Sequence, residues 1–175
     1  MADKFISRGF KGRARETDSA LIERIPPGQY ETKDFPVLSA GPTPRTSLER
    51  WSFSIYGEIA EDLKWTWDQF RKLTRETVTV DIHCVTRWSR LGNIWEGPSI
   101  RELLARADVK GEAKFVVLHA YDGGWTTNLP LADFDQEDCL LADTHDGEPI
   151  SAEHGGPVRA MVPRLYAWKS AKWLR

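Results

Sequence analysis

Cys84 closes the alternating run Thr77 to Cys84, in which Val78, Val80, Ile82 and Cys84 share one face and Thr79, Asp81 and His83 the other. Strict alternation predicts a strand, and a thiol at a strand end is aimed rigidly at whatever lies beyond it. What lies beyond is a polar, aromatic segment, Thr86-Arg87-Trp88-Ser89-Arg90. Arg87 and Arg90 are close enough in sequence to favour the thiolate, the form of cysteine that is nucleophilic and binds metals. On its own, Cys84 reads more simply as an inert core thiol, because cysteine is among the most buried residue types.

Three further segments have chemical potential. In Asp122-Gly123-Gly124-Trp125-Thr126-Thr127-Asn128 two glycines allow close backbone approach to a ligand, and hydroxyl and amide groups can orient it. The same residues also spell a glycine-rich hairpin turn. His154-Gly155-Gly156-Pro157-Val158-Arg159 sets a titratable ring and a guanidinium around a glycine pair, which suits a phosphate or pyrophosphate. Lys169-Ser170-Ala171-Lys172 adds two ammonium donors and a hydroxyl. Zinc does not fit, since His83, Cys84, Cys139, His145 and His154 form neither a C-x-x-C nor an H-x-x-x-H pattern. A nucleophilic pair of Cys84 with His119 or His154 stays open. Neither a P-loop nor a dinucleotide fingerprint is present.

The elements that must position these groups are short. Trp51, Phe53 and Ile55 alternate with polar neighbours and predict a strand ending at Gly57. Thr66 to Leu73 predicts a small helix with Trp67, Phe70 and Leu73 on one face. Ser99 to Ala107 predicts another, started by Pro98-Ser99. Phe115 to Leu118 reads as a buried strand, and Ala160 to Val162 as one more, closed by Pro163. With no internal repeat and no βαβ alternation, the expected fold class is α+β, mainly β. Residues 1–25, crowded with Lys4, Arg8, Lys11, Arg13 and Arg15, read as a basic, flexible arm. Residues 26–175 read as one domain. Its first stretch, 26–48, is rich in Pro, Gly, Ser and Thr. Within it, Phe35-Pro36-Val37-Leu38 forms an apolar plug that fits an extended strip laid over a domain or a ligand.

Composition sets the outer bounds. The chain has 175 residues, is 41% hydrophobic and 29% charged, and has a net charge of −2, so one globular core can form and global charge favours neither nucleic acid nor a membrane surface. No run approaches the roughly 20 apolar residues that span a bilayer. The N-terminus lacks the apolar centre of a signal peptide, so a cytoplasmic location and two free thiols are expected. Eight tryptophans suit either a large stacking ligand or extra core bulk.

Taken in order, these segments resemble the sulfite-oxidase-like molybdopterin-binding domain. The resemblance runs from about Pro26 to the last residue. It is carried by Pro27-Gly28-Gln29, by Phe35-Pro36-Val37-Leu38-Ser39-Ala40-Gly41-Pro42-Thr43-Pro44, by His83-Cys84-Val85-Thr86 with Trp88-Ser89, and by Trp95-Glu96-Gly97. Further along it rests on Thr126-Thr127-Asn128-Leu129-Pro130-Leu131, His154 to Arg159 and Trp168 to Trp173. It is strongest to the short, haem-free members. It implies a sulfite-oxidase-type domain with short peripheral helices, holding molybdenum through molybdopterin and one cysteine thiolate, with Cys84 at that position. A soft thiolate is an apt ligand for such a metal. His154 and Arg159 match pterin- and phosphate-contacting positions. Lys169, Ser170 and Lys172 match the segment that grips the cofactor's phosphate end, and Phe35, Pro36, Val37 and Leu38 match the strip against the pterin. His83 and Thr127 fall within the matched cofactor-binding segments.

Two departures shape the functional expectation. Sulfite oxidases carry an arginine in the strip after the Phe, where this chain has Leu38, and a tyrosine near the metal aligns with Trp125. Loss of a bidentate anion clamp argues against sulfite as the substrate. Arg87 stands where relatives often have a small residue, and it either restores positive charge near the metal or points to solvent. Catalytic roles are therefore expected of Cys84, Arg87 and Trp125. The expected activity is oxygen-atom transfer on a small sulfoxide, N-oxide or sulfur-containing substrate, with a separate haem or flavin protein as electron partner. Relatives continue past Trp173 with another strand and a tail, which leaves a cofactor-free binding or scaffold module as the alternative.

Overall fold

The computed structural model describes residues 23–39 and 41–175. The basic residues from Lys4 to Arg15 lie outside the described residues. The chain runs β1 (Tyr30–Glu31), β2 (Ser52–Ile55), β3 (Leu63–Thr66), α1 (Trp67–Phe70), β4 (Glu76–His83), β5 (Trp88–Gly97), α2 (Ile100–Ala107), β6 (Phe115–His119), β7 (Thr126–Pro130), α3 (Leu131–Phe134), β8 (Leu140–Ala142), β9 (Thr144–His145), β10 (Glu148–Pro149) and β11 (Arg159–Met161). It is mainly β with short helices, as the sequence predicts. Among the described residues no helix is long and apolar enough to cross a membrane.

The largest sheet is built on β5. Along one edge β4 pairs antiparallel with it, with a bulge between Val80 and Ile82. On the other edge β1 runs parallel to the Trp88–Ser89 end, and β9 pairs antiparallel with the Trp95–Glu96 end. Sequence periodicity misses β5 altogether, because its apolar and polar residues do not alternate. Ser89 and Asn93 are buried in it and satisfied by specific partners, Gln29 Oε1 for Ser89 and the Val80 and Arg90 carbonyls for Asn93. β10 pairs antiparallel with β9, and three smaller antiparallel pairs, β2–β3, β6–β7 and β8–β11, complete the strands.

Local signals explain the helices. The Thr66 hydroxyl accepts from Gln69 N–H, and the Gln69 side chain accepts from Thr66 N–H, a reciprocal cap that starts α1. The helix is one turn long rather than the two expected, although Leu73 still packs inward. The expectation of a buried strand at Phe115–Leu118 holds for one face only. Leu118 is buried, while Phe115 and Val117 are 68% and 52% exposed, because β6 is half of a two-stranded ribbon.

Two apolar cores result. One gathers Trp51, Phe70, Leu103, Leu129 and Val158. The other packs Ile82, Cys84, Trp88, Trp95, Leu140 and Met161 between β5 and β8. The final residues close the first core: Leu174 is buried, its N–H donates to Val158 O and its carbonyl accepts from the Trp51 indole.

Candidate functional site

Cys84 sits one residue beyond β4, at the edge of the second core. Its N–H donates to Trp88 O and its carbonyl accepts from Arg87 N, so residues 84–88 form a tight turn linking β4 to β5. Arg87 takes a left-handed conformation, φ 74°, and is exposed. The turn leaves the Cys84 sulfur facing a cleft, where it accepts a hydrogen bond from the Thr86 hydroxyl at 3.1 Å. Cys139 behaves differently: it lies in the first core, and burial pushes its thiol up to about 12. Only Cys84 has both a cleft and a donor aimed at its sulfur.

Opposite stand the cations. The 3-10 turn Ala152–His154 ends at Gly155, whose φ of 105° suits glycine. A Cβ on Gly155 would lie 2.8 Å from Lys172 Cβ, and one on Gly156 would lie 2.1 Å from Ile150 O. The glycine pair therefore lets His154 and Lys172 share one wall. Arg159, on β11, is buried and donates to His154 O at 2.7 Å and Ser170 O at 3.1 Å. Lys172 Nζ donates to Leu38 O at 2.8 Å and Glu153 O at 2.6 Å, tying the strip over the cleft to its floor. Phe35, from that strip, stacks on His154 with ring centroids 4.4 Å apart.

The cleft measures about 360 Å³. Of the residues singled out from sequence, it brings together Phe35, Pro36, Leu38, Cys84, Trp125, His154, Arg159, Ser170 and Lys172. Val37, His83, Arg87, Thr127 and Lys169 do not line it. His83 Nδ1 instead meets Ser89 Oγ at 2.9 Å, and Lys169 Nζ donates to Asn128 O at 2.6 Å. Arg90 is committed to Asp146, His145 and Asn93 rather than to Cys84. His119 faces Tyr56 OH at 3.3 Å. Asp122-Gly123-Gly124 forms the β6–β7 turn, and Asp122 Oδ1 accepts from Trp125 N–H, which delivers Trp125 to the cleft. Sequence reasoning missed Trp88, Trp168 and Trp173 in the lining. The available signals were the count of eight tryptophans and the segments Trp88-Ser89 and Trp168 to Trp173, which carry the family resemblance.

The electrostatics are those of a site short of negative charge. Burial lowers Arg159 to about 10. Burial and the neighbouring Arg159 lower Lys172 to about 8, against a weaker pull from Glu153. Burial, Lys172 and Arg159 also lower His154. Among the described residues no carboxylate forms an ion pair with Arg159 or Lys172. Three buried nitrogens of cleft residues, His154 Nδ1, Arg159 Nε and Trp88 Nε1, have no hydrogen-bond partner. Unpaired buried cations and unmet polar atoms are costly. An anionic ligand with several acceptors would satisfy both, and a soft metal would suit the thiol.

Comparison with known proteins shows which family the chain belongs to. The family model described as the oxidoreductase molybdopterin binding domain matches residues 40–175. The uncharacterized oxidoreductase YuiH of Bacillus subtilis (strain 168) is 45% identical over 165 residues, covering 94% of this chain and 82% of that protein. Nitrate reductase (NADH) 2 of Phaseolus vulgaris is 22% identical over 79% of this chain, which spans 19% of the plant protein. Among solved structures, the sulfane dehydrogenase SoxCD from Paracoccus pantotrophus superposes with a TM-score of 0.69 at 23% identity, over 76% of this chain and 39% of that one.

Proposed function

Because the chain belongs to the oxidoreductase molybdopterin-binding domain family and is a molybdopterin-dependent oxidoreductase, we propose that it transfers an oxygen atom to or from a small sulfoxide, N-oxide or sulfur compound other than sulfite, in the cytoplasm. The observation that carries this reading is the single cleft that joins the Cys84 sulfur to Arg159 and Lys172, cations that lack a carboxylate. When bound, the cofactor supplies a molybdenum centre that exchanges an oxygen atom and two electrons with the substrate.

In this reading the chain's residues hold, orient and shield. Cys84 is the metal's protein ligand, and the Thr86 hydroxyl bonded to its sulfur fixes the orientation of the thiolate. Arg159, Lys172, Ser170 and His154 hold the anionic and pterin parts, and Arg159 Nε and His154 Nδ1 are buried without a hydrogen-bond partner in the protein. Phe35, on the strip that Lys172 ties down, would shield the pterin from water. Leu38, Val85 and Trp125 give the cleft that Cys84 faces an apolar lining, and its one guanidinium, Arg159, would be matched by the cofactor's anionic part. Such walls favour an uncharged substrate and leave a doubly charged oxyanion without a partner. Arg87 is exposed at the turn and faces solvent.

The test uses protein made in a host that synthesises the molybdenum cofactor. Wild type should contain close to one molybdenum per chain, absorb visible light, and reduce dimethyl sulfoxide or trimethylamine N-oxide with reduced methyl viologen, faster than it oxidises sulfite. Cys84→Ala should lose the visible band and the turnover. Equal spectra and equal turnover in the variant would sink the assignment of Cys84, and preferential sulfite oxidation would sink the substrate class.

A further inference from the structure

On the other side of the Ala152–Pro157 segment lies a second, wider cavity of about 1010 Å³. Its walls carry Arg45, Arg50, Arg71 and Arg75 against two carboxylates, Asp143 and Glu96. Asp143 is buried and clasped by Arg71 at 2.6 Å and Arg75 at 2.5 Å, so these two guanidinium groups are fixed in place. Arg45 and Arg50 are exposed, and among the described residues neither forms an ion pair. The groove is therefore a positive patch on a chain whose net charge is −2.

Its position matters as much as its charge. Successive residues of a strand face opposite ways, and β9 shows this across the shared wall. Thr144 lines the groove, while His145 stacks on Trp95 at 4.0 Å and lies 5.1 Å from Phe35, a lining residue of the cofactor cleft. The 3-10 turn repeats the arrangement, with Ala152 in the groove wall and His154 in the cleft wall. The same two short segments therefore border both cavities.

Resting on the proposed oxygen-atom transfer, the geometry points to the arginine groove as the docking face for an acidic electron-carrier protein that exchanges electrons with the cofactor through the β9 and Ala152–His154 wall. The chemistry requires such a carrier. Reducing a sulfoxide to a sulfide and water consumes two electrons and two protons: the S–O bond breaks, the oxygen leaves as water, and sulfur is reduced. A one-electron carrier delivers the pair in two visits, its redox group being oxidised each time. A charged, open groove suits that traffic, because complementary charge speeds encounter without demanding a tight, slow-to-release complex.

The probe is photoreduced flavodoxin, an acidic one-electron flavoprotein, acting on molybdenum-loaded enzyme with dimethyl sulfoxide. The variant is Arg45→Glu/Arg50→Glu, two exposed positions outside the cofactor cleft, and the charge-matched control is Lys64→Glu/Lys110→Glu on other surfaces. Flavodoxin binding by calorimetry and flavodoxin-driven turnover at low salt should both fall by about tenfold or more in the groove variant, and much less in the control. Raising the salt should erase most of the difference. Turnover driven by methyl viologen and the molybdenum content should not change in the groove variant. Flavodoxin that fails to bind, or that binds and reacts equally with wild type and the groove variant, overturns the docking face. So does one-to-one pyrophosphate binding in the groove without carrier binding, which would make it a small-anion site. Loss of viologen-driven turnover from wild type counts against the oxygen-transfer reading instead, and leaves the calorimetric test of docking intact.

Discussion

Arg159 and Arg75 both stand in cavity walls, yet their charges are managed in opposite ways. Arg75 and Arg71 clasp Asp143. Burial alone would raise the Asp143 carboxyl, but the hydrogen bonds from Arg75 and Arg71 outweigh it and hold the group below its ordinary value. The bond to Asp143 likewise raises Arg75. Arg159 is buried, bonds only carbonyls, and is lowered to about 10 by desolvation. A cation that brings its own anion is part of the fold. A buried cation without one is held ready for an anion that arrives from outside. The second arrangement marks the cofactor cleft, and the first explains why the groove keeps its shape while Arg45 and Arg50 at its rim stay in water.

Opposite responses to mutation would make the contrast sharp. Asp143→Ala leaves two guanidinium groups without their shared anion and should destabilise the protein by about 3 kcal/mol in denaturant titration. Because the Asp143 carboxyl is lowered in the folded state, its contribution is complete above its unfolded value and disappears as pH falls through the folded one. The difference between wild type and Asp143→Ala should therefore shrink below about pH 4. Arg159→Met removes a desolvated charge along with its two hydrogen bonds. Apoprotein stability should stay within about 1 kcal/mol of wild type, while molybdopterin retention is lost. If Arg159→Met unfolds the protein as readily as Asp143→Ala, the two arginines play one role and the contrast collapses.

A smaller effect concerns Lys172, lowered to about 8. Below that pH the ammonium is charged before and after an anion binds. Above it Lys172 is neutral in the empty site, and full pairing with the anion requires taking up a proton. Pyrophosphate affinity for the apoprotein should therefore fall as pH rises beyond about 8, by up to about tenfold per unit, and Lys172→Met should flatten the profile. Calorimetry across pH 7 to about 10 reads this directly. The smallest effect belongs to Thr144, whose hydroxyl donates to Asp143 Oδ1 at 2.9 Å. Thr144→Val should cost about 1 kcal/mol in wild type and less in the Asp143→Ala background. Strict additivity would mean that the groove's charges do not act as one network.

Several features of the cleft were legible because they are local. Cys84 at a strand end follows from alternation in Val78, Val80 and Ile82. The glycine pair before Arg159 follows from the need for a left-handed residue and close backbone approach. The cap that starts α1 is built locally from Thr66 and Gln69, whereas Ser99, the expected cap of α2, makes no side-chain hydrogen bond there. The family pattern could be read for the same reason, being carried by short segments with their own chemistry. Strand β5 was not legible: its buried Ser89 and Asn93 look like surface residues until Gln29 and Val80 are brought against them. The arrangement of charge was also hidden. In sequence, Arg159 and Lys172 carry the same kind of charge as Arg71 and Arg75, and nothing local to either pair says which will meet a carboxylate. Which pair receives a carboxylate depends on a contact spanning about seventy residues, from α1 and its following turn to Asp143. Side-chain type and local spacing determined which groups could bind a cofactor. Tertiary structure decided which cations were left without an anion, because desolvation and ion pairing depend on neighbours that only folding supplies.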